Sequence, residues 1–220
     1  MEKIINDHKA FWFRREFLFS VVAGFLFFTA SLLINYAAGS YATRSASNAV
    51  TDIILDNIPV VDTGIIFVEG TMLFILLVAG IFIKEPWRMP FILKTAALFV
   101  MVRSFFIVLT HIGPMPDQIT IGVDSLIRMI TFGGDLFFSG HTGMPFLLAL
   151  AFWENKILRA VFLAASIIAG FSVLLGHLHY SIDVFAAYFI TYGIFAAAKK
   201  LFASDYDVFL RGLPAISGNK

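Results

Sequence analysis

The pattern best suited to chemistry is GHLHYSIDV, residues 176–184, in which Asp183 follows His179 by four positions. If a helix begins near His179, the two side chains share one face, and the carboxylate can accept a hydrogen bond from one ring nitrogen of the imidazole. That bond fixes the tautomer and leaves the other nitrogen free to act. The spacing therefore predicts a nucleophile or base at His179, with Asp183 as its orienting partner.

A second motif, GGDLFFSGHTGMP at residues 133–145, supplies groups that complement this pair. Ser139 and Gly140 stand where the chain is predicted to enter a helix, and free amides at a helix N-terminus bind anions. Gly140 also allows a ligand to approach the backbone closely. His141 adds an imidazole that can donate or accept a proton. We expect Asp135 either to brace this loop or to contact substrate.

Other charged residues at membrane depth extend the candidate site, because ionisable groups there are costly and are functional candidates by default. Arg103 lies about two helical turns below the outer end of its predicted span, where it can hold a phosphate against the amides of the second motif. Glu69 and Asp62 are candidates for lining a headgroup site or for pairing with Arg103. His177 and His111 are expected in supporting or interfacial positions.

The composition assigns these motifs to an integral membrane protein of the all-α class. Of the 220 residues, 59% are hydrophobic and 14% are charged, and the mean hydropathy is +0.86. A soluble domain needs far more polar surface than this. The absence of cysteine excludes disulfides and thiolate metal sites. The expected partners are membrane lipids, with no nucleic-acid partner.

Six stretches are candidate transmembrane helices, which need roughly 20 apolar residues. The first is too long for a typical signal-peptide core, and the fourth is short and begins inside the second motif. We predict a single membrane domain over 1–220 that folds as one compact six-helix bundle, with a cytoplasmic N-terminal segment at 1–16 and a cytoplasmic tail at 204–220. The six stretches are 17–38, 62–83, 90–112, 139–153, 158–178 and 181–203.

The basic residues fall mainly on one side of the predicted bundle. Thirteen of the 16 Lys and Arg lie in the N-terminal segment, in or beside the even-numbered connections, and in the tail, and short basic segments remain in the cytoplasm. Both termini are therefore predicted to be cytoplasmic. The loops at 39–61, 113–138 and 179–181 then lie on the extracytoplasmic face, and the fourth and fifth spans bring His141 and His179 to that same face.

Taken together, these residues suggest phosphoryl transfer through a phosphohistidine. In this scheme His179, backed by Asp183, attacks phosphorus. His141 protonates the leaving alkoxide and then serves as base for the acceptor. Arg103 and the amides of the second motif stabilise the charge on the phosphoryl oxygens. The scheme requires no metal and no cofactor.

Two other interpretations use the same residues. The imidazoles of the HLH segment, with His141 and Asp183, are also the ligand types of a zinc or iron ion, and such an enzyme is inactivated by chelators. A non-enzymatic carrier of lipid or polyprenyl phosphates needs Arg103, but it has no use for the spacing of His179 and Asp183.

Both motifs resemble those of the phosphatidic acid phosphatase type 2 (PAP2) superfamily, which include P-S-G-H and S-R-x5-H-x3-D. The resemblance is closer to the sphingomyelin synthase-like branch: GGDLFFSGHT is similar to its C-G-D-x-x-x-S-G-H-T, and HYSIDVFAAYFIT to its H-Y-T-I-D-V-x-x-A-Y-Y-I-T. RSFFIVLTHIGPMP and VTDIILDNIPVVDT carry weaker similarities. Over roughly residues 51–195, the resemblance implies a six-helix membrane fold and a triad of His141, His179 and Asp183.

The branch resemblance further implies transfer of a phospho-headgroup from a glycerophospholipid to a ceramide-type acceptor, with release of diacylglycerol. With water as the acceptor, the same residues give a lipid phosphatase or a phospholipase C-like hydrolase. The sequence departs from these families at several positions. Val173 replaces the superfamily arginine, Gly133 replaces the cysteine that opens the branch signature, and Leu178 stands where the branch is expected to be acidic. These changes leave the triad intact and leave headgroup and acceptor open.

Overall fold

The computed structural model describes residues 11–120 and 135–211, and the regular structure within these ranges is helical. Two short 3-10 turns, Leu55–Asn57 and Pro86–Arg88, interrupt the connections. The helices are α1 (Arg15–Ser45), α2 (Gly64–Lys84), α3 (Met89–Ile107), α4 (Gly140–Ala151), α5 (Lys156–Leu175), α6 (Ser181–Leu201) and α7 (Ala203–Arg211).

Five of these helices are long and apolar enough to cross a membrane, namely α1, α2, α3 together with the turn before it, α5 and α6. They correspond to five of the six predicted spans, and they indicate an integral membrane protein. The fourth predicted span is α4, which has 12 residues. At about 1.5 Å per residue it extends about 18 Å, against a hydrocarbon core of about 30 Å. Helix α4 is therefore shorter than a full crossing.

The third predicted span, 90–112, is too long at its C-terminal end, because α3 stops at Ile107. The backbone after Ile107 forms hydrogen bonds with the loop after α1 instead of continuing the helix. The amide of Ser47 donates to the carbonyl of His111 at 2.7 Å, and the amide of Gly113 donates to the carbonyl of Asn48 at 3.0 Å. These bonds join the loop after α1 to the loop after α3. The apolar residues at 108–112 therefore belong to a loop and not to the transmembrane helix.

The fifth predicted span, 158–178, also ends early, at Leu175, because a Schellman turn closes α5. The amide of His177 donates to the carbonyl of Leu174 at 3.0 Å, and the amide of Leu178 donates to the carbonyl of Val173 at 2.8 Å. His177 takes the left-handed position of this turn, with φ 52°. The turn therefore directs the chain into the segment that carries His179.

The predicted tail at 204–220 begins as a packed helix. Within α7, Phe209 is fully buried and Asp205 pairs with Lys94 of α3 at 2.6 Å. Lys94 also donates to Ser20 of α1 at 2.8 Å, so these contacts hold α7 against the bundle. Residues 212–220 of the predicted tail and 1–10 of the predicted N-terminal segment lie outside the described residues.

Helix α4 forms the centre of the bundle, because it packs against α3, α5 and α6. Its Leu147 and Leu148 join a buried cluster with Phe99 of α3 and Phe162 of α5. Helix α1 packs along α3, whereas α2 packs mainly on α5 and is largely exposed. The N-terminus of α4, with its motif residues, is thereby held between α3 and α6.

Gly143 provides a test of this packing. A Cβ at this position would lie 2.7 Å from Cζ of Phe99 and 2.8 Å from Oγ1 of Thr191, both buried residues. We expect Gly143→Ala to lower the stability of the fold by about 1–3 kcal/mol, the usual cost of overpacking. Gly193→Ala in α6, where a Cβ meets nothing within 4 Å, is the matched control.

The measurement is the thermal unfolding midpoint of both variants in the same detergent. The control is expected to be neutral or slightly stabilising, because alanine is the better helix former by about 1 kcal/mol. An unchanged midpoint for Gly143→Ala would contradict the close approach of α3, α4 and α6.

Candidate active site

Ser139 caps α4, and its backbone ties the helix to α6. Its hydroxyl oxygen accepts hydrogen bonds from the amide of Thr142 at 3.4 Å and from the hydroxyl of the same residue at 3.1 Å. The amide of Ser139 donates to the carbonyl of Asp183 at 3.1 Å. The expectation that this amide is free for an anion is therefore wrong, because the α6 carbonyl already occupies it. The amides of Gly140 and His141 donate to no other described residue.

Arg103 clamps the segment that leads into α4. Its Nε donates to the carbonyl of Phe138 at 2.7 Å, and Nη2 donates to the carbonyl of Asp135 at 3.0 Å. Nη1 lies 2.6 Å from Oδ1 of Asp135, an ion pair in which Oδ1 accepts no aligned hydrogen bond from the described residues. Asp135 thus braces the loop through Arg103, and the pairing of Arg103 with Glu69 or Asp62 does not occur.

Gly140 packs directly against this guanidinium. A Cβ at Gly140 would meet Nε of Arg103 at 3.3 Å and Cδ at 3.6 Å, so a side chain there would push the arginine away. The glycine of the SGH motif is therefore needed for the approach of Arg103. Sequence analysis assigned its small size to a ligand instead.

His179 and Asp183 form the predicted pair, with Nδ1 3.3 Å from Oδ2. The same Oδ2 accepts the amide of Tyr180 at 3.0 Å. Helix α6 begins at Ser181, so His179 precedes the helix and the pair spans its N-terminus; the expected shared helix face is wrong. Both side chains are buried, and a hydrogen bond from the Nδ1–H of His179 to this carboxyl group leaves Nε2 with its lone pair.

His141 occupies the second position of α4, where its ring lies against Phe67 of α2, with centroids 4.1 Å apart and planes inclined by 40°. Packing with Phe67 thus orients the imidazole. A cavity of about 1090 Å³ opens beside it, and Arg103, Asp135, Gly140, His141 and His179 all line it. The structure therefore brings both histidines and the arginine to the wall of one cavity.

Four other sequence candidates, Ser139, Asp183, Glu69 and Asp62, do not line this cavity. Ser139 and Asp183 lie behind the lining residues and position them. Glu69 is exposed on α2 and is not among the lining residues. Asp62 is also exposed, and its Oδ1 accepts the amide of Gly64 at 2.9 Å at the start of α2. The structure therefore does not bring Glu69 or Asp62 to the site.

His177 supports the site from the turn that follows α5. Its Nδ1 lies 3.1 Å from Oδ1 of Asp117, and the amide of Ile119 donates to the carbonyl of Gly176 at 3.0 Å. The His177 contact lowers the pKa of Asp117 below its ordinary value. These contacts hold residues 114–120, several of which line the cavity, over the turn before His179.

Asp52 is a supporting residue that sequence analysis missed. Its Oδ2 accepts the amide of Ser181 at 2.7 Å, and Oδ1 accepts the amides of Ile54 and Leu55 at 2.9 and 3.2 Å. Asp52 therefore joins the loop after α1 to the N-terminus of α6, next to the His179–Asp183 pair. The weak resemblance in VTDIILDNIPVVDT was the only signal for it.

Tyr180 strengthens the same connection. Its hydroxyl donates to the carbonyl of Gly113 at 2.8 Å and accepts the amide of Val50 at 3.1 Å. Burial raises the pKa of Tyr180 above its ordinary value, so the hydroxyl keeps its proton at neutral pH. One side chain thereby joins the loops after α1 and α3 to the start of α6.

Replacing Asp52 by alanine is expected to lower the free energy of unfolding by roughly 1.5–3 kcal/mol, because hydrogen bonds to a carboxylate are lost. Burial alone would raise the pKa of Asp52, but the bonds from Ser181, Ile54 and Leu55 outweigh it and hold the pKa below the ordinary 3.8. The contribution is therefore complete above pH 3.8 and is lost as the pH falls through the folded-state value.

Unfolding midpoints of the parent and Asp52→Ala, measured at neutral pH and then at decreasing pH, test this expectation. The difference between the two unfolding midpoints should stay constant until strongly acidic pH and then disappear. A gap that closes near neutral pH would contradict the assigned hydrogen bonds.

Within residues 11–120 and 135–211, no group of three or more His, Asp or Glu side chains lies close enough together to hold a metal ion. The HLH segment is divided between two environments: His177 turns to Asp117, and His179 turns to Asp183. The described residues therefore do not form the ligand set that the metal interpretation requires.

Comparison with known families connects this geometry to a class of proteins. Residues 133–200 match the PAP2_C family model, described as PAP2 superfamily C-terminal. This match indicates lipid phosphoryl chemistry of the phosphatase or phosphotransferase kind and thus an enzyme. It spans the SGH motif, the turn after α5 and the His179–Asp183 pair, whereas Arg103 lies before it. No curated protein and no solved structure matches the chain.

Proposed function

We propose that the chain is a membrane lipid phosphotransferase of the sphingomyelin synthase-like kind. It moves a phospho-headgroup from a glycerophospholipid to a ceramide-type acceptor and releases diacylglycerol. The observation that supports this proposal is the meeting of His141, His179 and Arg103 on the wall of one cavity, with Asp183 oriented behind His179. His141, His179 and Asp183 are the proposed catalytic triad.

In the first step, the lone pair on Nε2 of His179 attacks phosphorus, and the bond between phosphorus and the diacylglycerol oxygen breaks. Protonated His141 transfers its proton to that oxygen, so diacylglycerol leaves as a neutral alcohol. Asp183 accepts the Nδ1 proton of His179 as a hydrogen bond and stabilises the charge that the ring gains. The product is a phosphohistidine at His179 and a neutral His141.

In the second step, the acceptor hydroxyl gives its proton to neutral His141 and its oxygen attacks phosphorus. The bond between phosphorus and Nε2 then breaks, which restores His179 and leaves His141 protonated for the next cycle. With a ceramide hydroxyl as acceptor the enzyme is a synthase, and with water it is a hydrolase. The same residues serve both outcomes, so the hydrolase is the alternative that the assay must separate.

The phosphate subsite combines Arg103 with the amides of Gly140 and His141. Nε and Nη2 of Arg103 donate to the carbonyls of Phe138 and Asp135, and Nη1 forms the ion pair with Asp135. A guanidinium carries five N–H groups, and we propose that those not used in the two hydrogen bonds can reach phosphoryl oxygens. The two amides at the N-terminus of α4 add donors on a positive helix end. We propose that Ser139 and Asp135 act by positioning α4 and Arg103.

We also propose six membrane crossings with both termini in the cytoplasm, and an active site on the extracytoplasmic side. The asymmetric placement of Lys and Arg supports this orientation. Helix α4 makes the shortened crossing, and the loop before it contributes to the extracytoplasmic face. The substrate lipid then comes from the outer or luminal leaflet.

Single cysteines test this orientation without background, because the chain has none. Arg44 and Lys156 are both exposed, at the end of α1 and at the start of α5. A membrane-impermeant thiol reagent applied to intact cells or sealed vesicles of known orientation should label Arg44→Cys from outside and Lys156→Cys only after permeabilisation. The reverse pattern would overturn the proposed orientation.

The function is tested with the purified protein and four phospholipids, namely phosphatidylcholine, phosphatidylethanolamine, phosphatidylinositol and phosphatidic acid, each with and without ceramide. Products are followed by mass spectrometry beside two variants. His179→Ala removes the proposed nucleophile. His111→Ala removes an exposed histidine that contacts Tyr41 edge-on outside the cavity lining, and it is expected to behave as the parent.

A ceramide phospho-headgroup made by the parent and by His111→Ala, and not by His179→Ala, would establish the synthase and identify its headgroup. Diacylglycerol released equally without ceramide would establish the hydrolase instead. No turnover of any lipid, or turnover retained in His179→Ala, would refute the phosphohistidine mechanism.

A further inference from the structure

The cavity extends well below the proposed reaction centre, along helices that carry few polar groups. On α2 its lining residues run from Ile66 to Leu77, and on α5 from Ser172 to Val161. Each stretch covers about 16 Å at 1.5 Å per residue. The two helices thus give the same depth, which is about half of a hydrocarbon core of about 30 Å.

The cavity also has an opening at its side. Leu32 of α1 and Leu73 of α2 both line it, yet they are 47% and 69% exposed. Helix α1 packs along α3, whereas α2 packs mainly on α5, so the two helices diverge around the cavity. This opening faces the region where lipid chains surround the protein.

The two ends of the cavity differ in chemistry. Arg103, His141 and His179 lie at the outer end, and apolar side chains such as Phe74 and Leu77 lie at the inner end. A ligand that complements both ends has an anionic head and a hydrocarbon chain. Burial of each methylene group of such a chain contributes about fourfold in affinity, as long as the cavity is deep enough to receive it.

We propose that the cavity binds one hydrocarbon chain of the substrate lipid, which enters between α1 and α2, and that Gly70 and Leu77 determine which chains fit. This inference rests on the proposed function for the identity of the headgroup. Gly70 stands about one turn below Phe67, the residue that packs on His141, and it keeps the passage under the histidines open. Leu77 is the deepest lining residue of α2 and limits the depth.

Gly70 has a closely matched control on the same helix. A Cβ added at Gly70 or at Gly80 meets nothing within 4 Å, so a side chain can begin at either position without a clash at its Cβ. Only Gly70 lines the cavity. Gly70→Leu therefore fills the passage, and Gly80→Leu adds the same side chain to the same helix outside it.

Binding is measured apart from turnover, with His179→Ala protein and a series of phosphatidic acids whose acyl chains increase in length, by native mass spectrometry in one detergent. In this background, affinity should rise with chain length and then reach a plateau at the cavity depth. Gly70→Leu should lower the affinity for all but the shortest chains by at least roughly tenfold, because several methylene groups are displaced. Gly80→Leu should leave the profile unchanged.

Leu77→Ala makes the cavity deeper and should move the plateau to longer chains, a gain that a poorly folded variant does not produce. Equal loss in Gly70→Leu and Gly80→Leu, or affinity independent of chain length, would overturn the proposal. Chain-length selection without turnover by the parent protein would retain the chain site and refute the proposed function. Turnover by the parent protein without chain-length selection would support the proposed function and refute the chain site.

Discussion

The His179→Ala variant is expected to lose both turnover and the covalent intermediate. Nε2 of His179 is the proposed nucleophile, and Nδ1 of the same ring lies 3.3 Å from Oδ2 of Asp183. Alanine removes the imidazole and provides no nucleophile in its place. Acid-labile, base-stable phosphate on the protein, trapped by rapid quenching with a headgroup-labelled lipid, is the direct readout. We expect the parent protein to carry the phosphate label and His179→Ala to carry none, although both proteins are folded.

His141→Ala separates the proton donor from the nucleophile. Loss of a general acid typically costs about 10²–10⁴ in rate, but only when the leaving group needs a proton. Lipid turnover by this variant should therefore fall by that amount, whereas a phosphoester with a p-nitrophenolate leaving group should still label His179. Equal loss on both substrates would contradict an acid role for His141. Label retained in His179→Ala would contradict the nucleophile itself.

The contact between His179 and Asp183 could be predicted from sequence because it is local. Asp183 is four positions from His179, and the capping position of Ser139 follows from its place before an apolar helix. The pairing of the two motifs followed from span counting, since two adjacent spans return the chain to the same face. In such short-range patterns, the spacing of residues along the chain is enough to predict which side chains lie close together.

The contacts of Asp52 and Tyr180 could not be predicted in this way. Asp52 reaches Ser181, and the hydroxyl of Tyr180 reaches Val50 and Gly113, across long stretches of chain. No periodic pattern specifies which loops meet outside the membrane. The same limit explains the amide of Ser139, whose partner is a backbone carbonyl of α6.

The misplacement of Glu69 has a different cause. Helix α2 is apolar around most of its circumference, because lipid and protein core favour the same side chains. The helical periodicity of apolar residues that identifies the buried face of a helix in a soluble protein is therefore absent from α2. Residues such as Phe67, Gly70 and Phe74 line the cavity, while Glu69 lies on another face of the helix.

Arg103→Gln is expected to damage both the fold and the reaction, and a second substitution should separate the two effects. The single change leaves the carboxylate of Asp135, with 8% of its side chain exposed, without its cation. Breaking a buried pair in this way costs about 3–5 kcal/mol. It also removes the donors to the carbonyls of Phe138 and Asp135, so the loop before α4 loses its clamp and the unfolding midpoint should fall.

In the double variant Arg103→Gln with Asp135→Asn, the uncompensated charge is gone, so much of the lost stability should return. Turnover should remain about 10²–10³ below the parent, the usual loss when a donor to a developing oxyanion is removed, because the phosphate still lacks its guanidinium. Asp135→Asn alone should also lower the unfolding midpoint, because it leaves the guanidinium of Arg103 without its carboxylate partner. If the double variant instead regained the parent's activity, Arg103 would be a brace for the loop and the phosphate subsite would consist of the α4 amides alone.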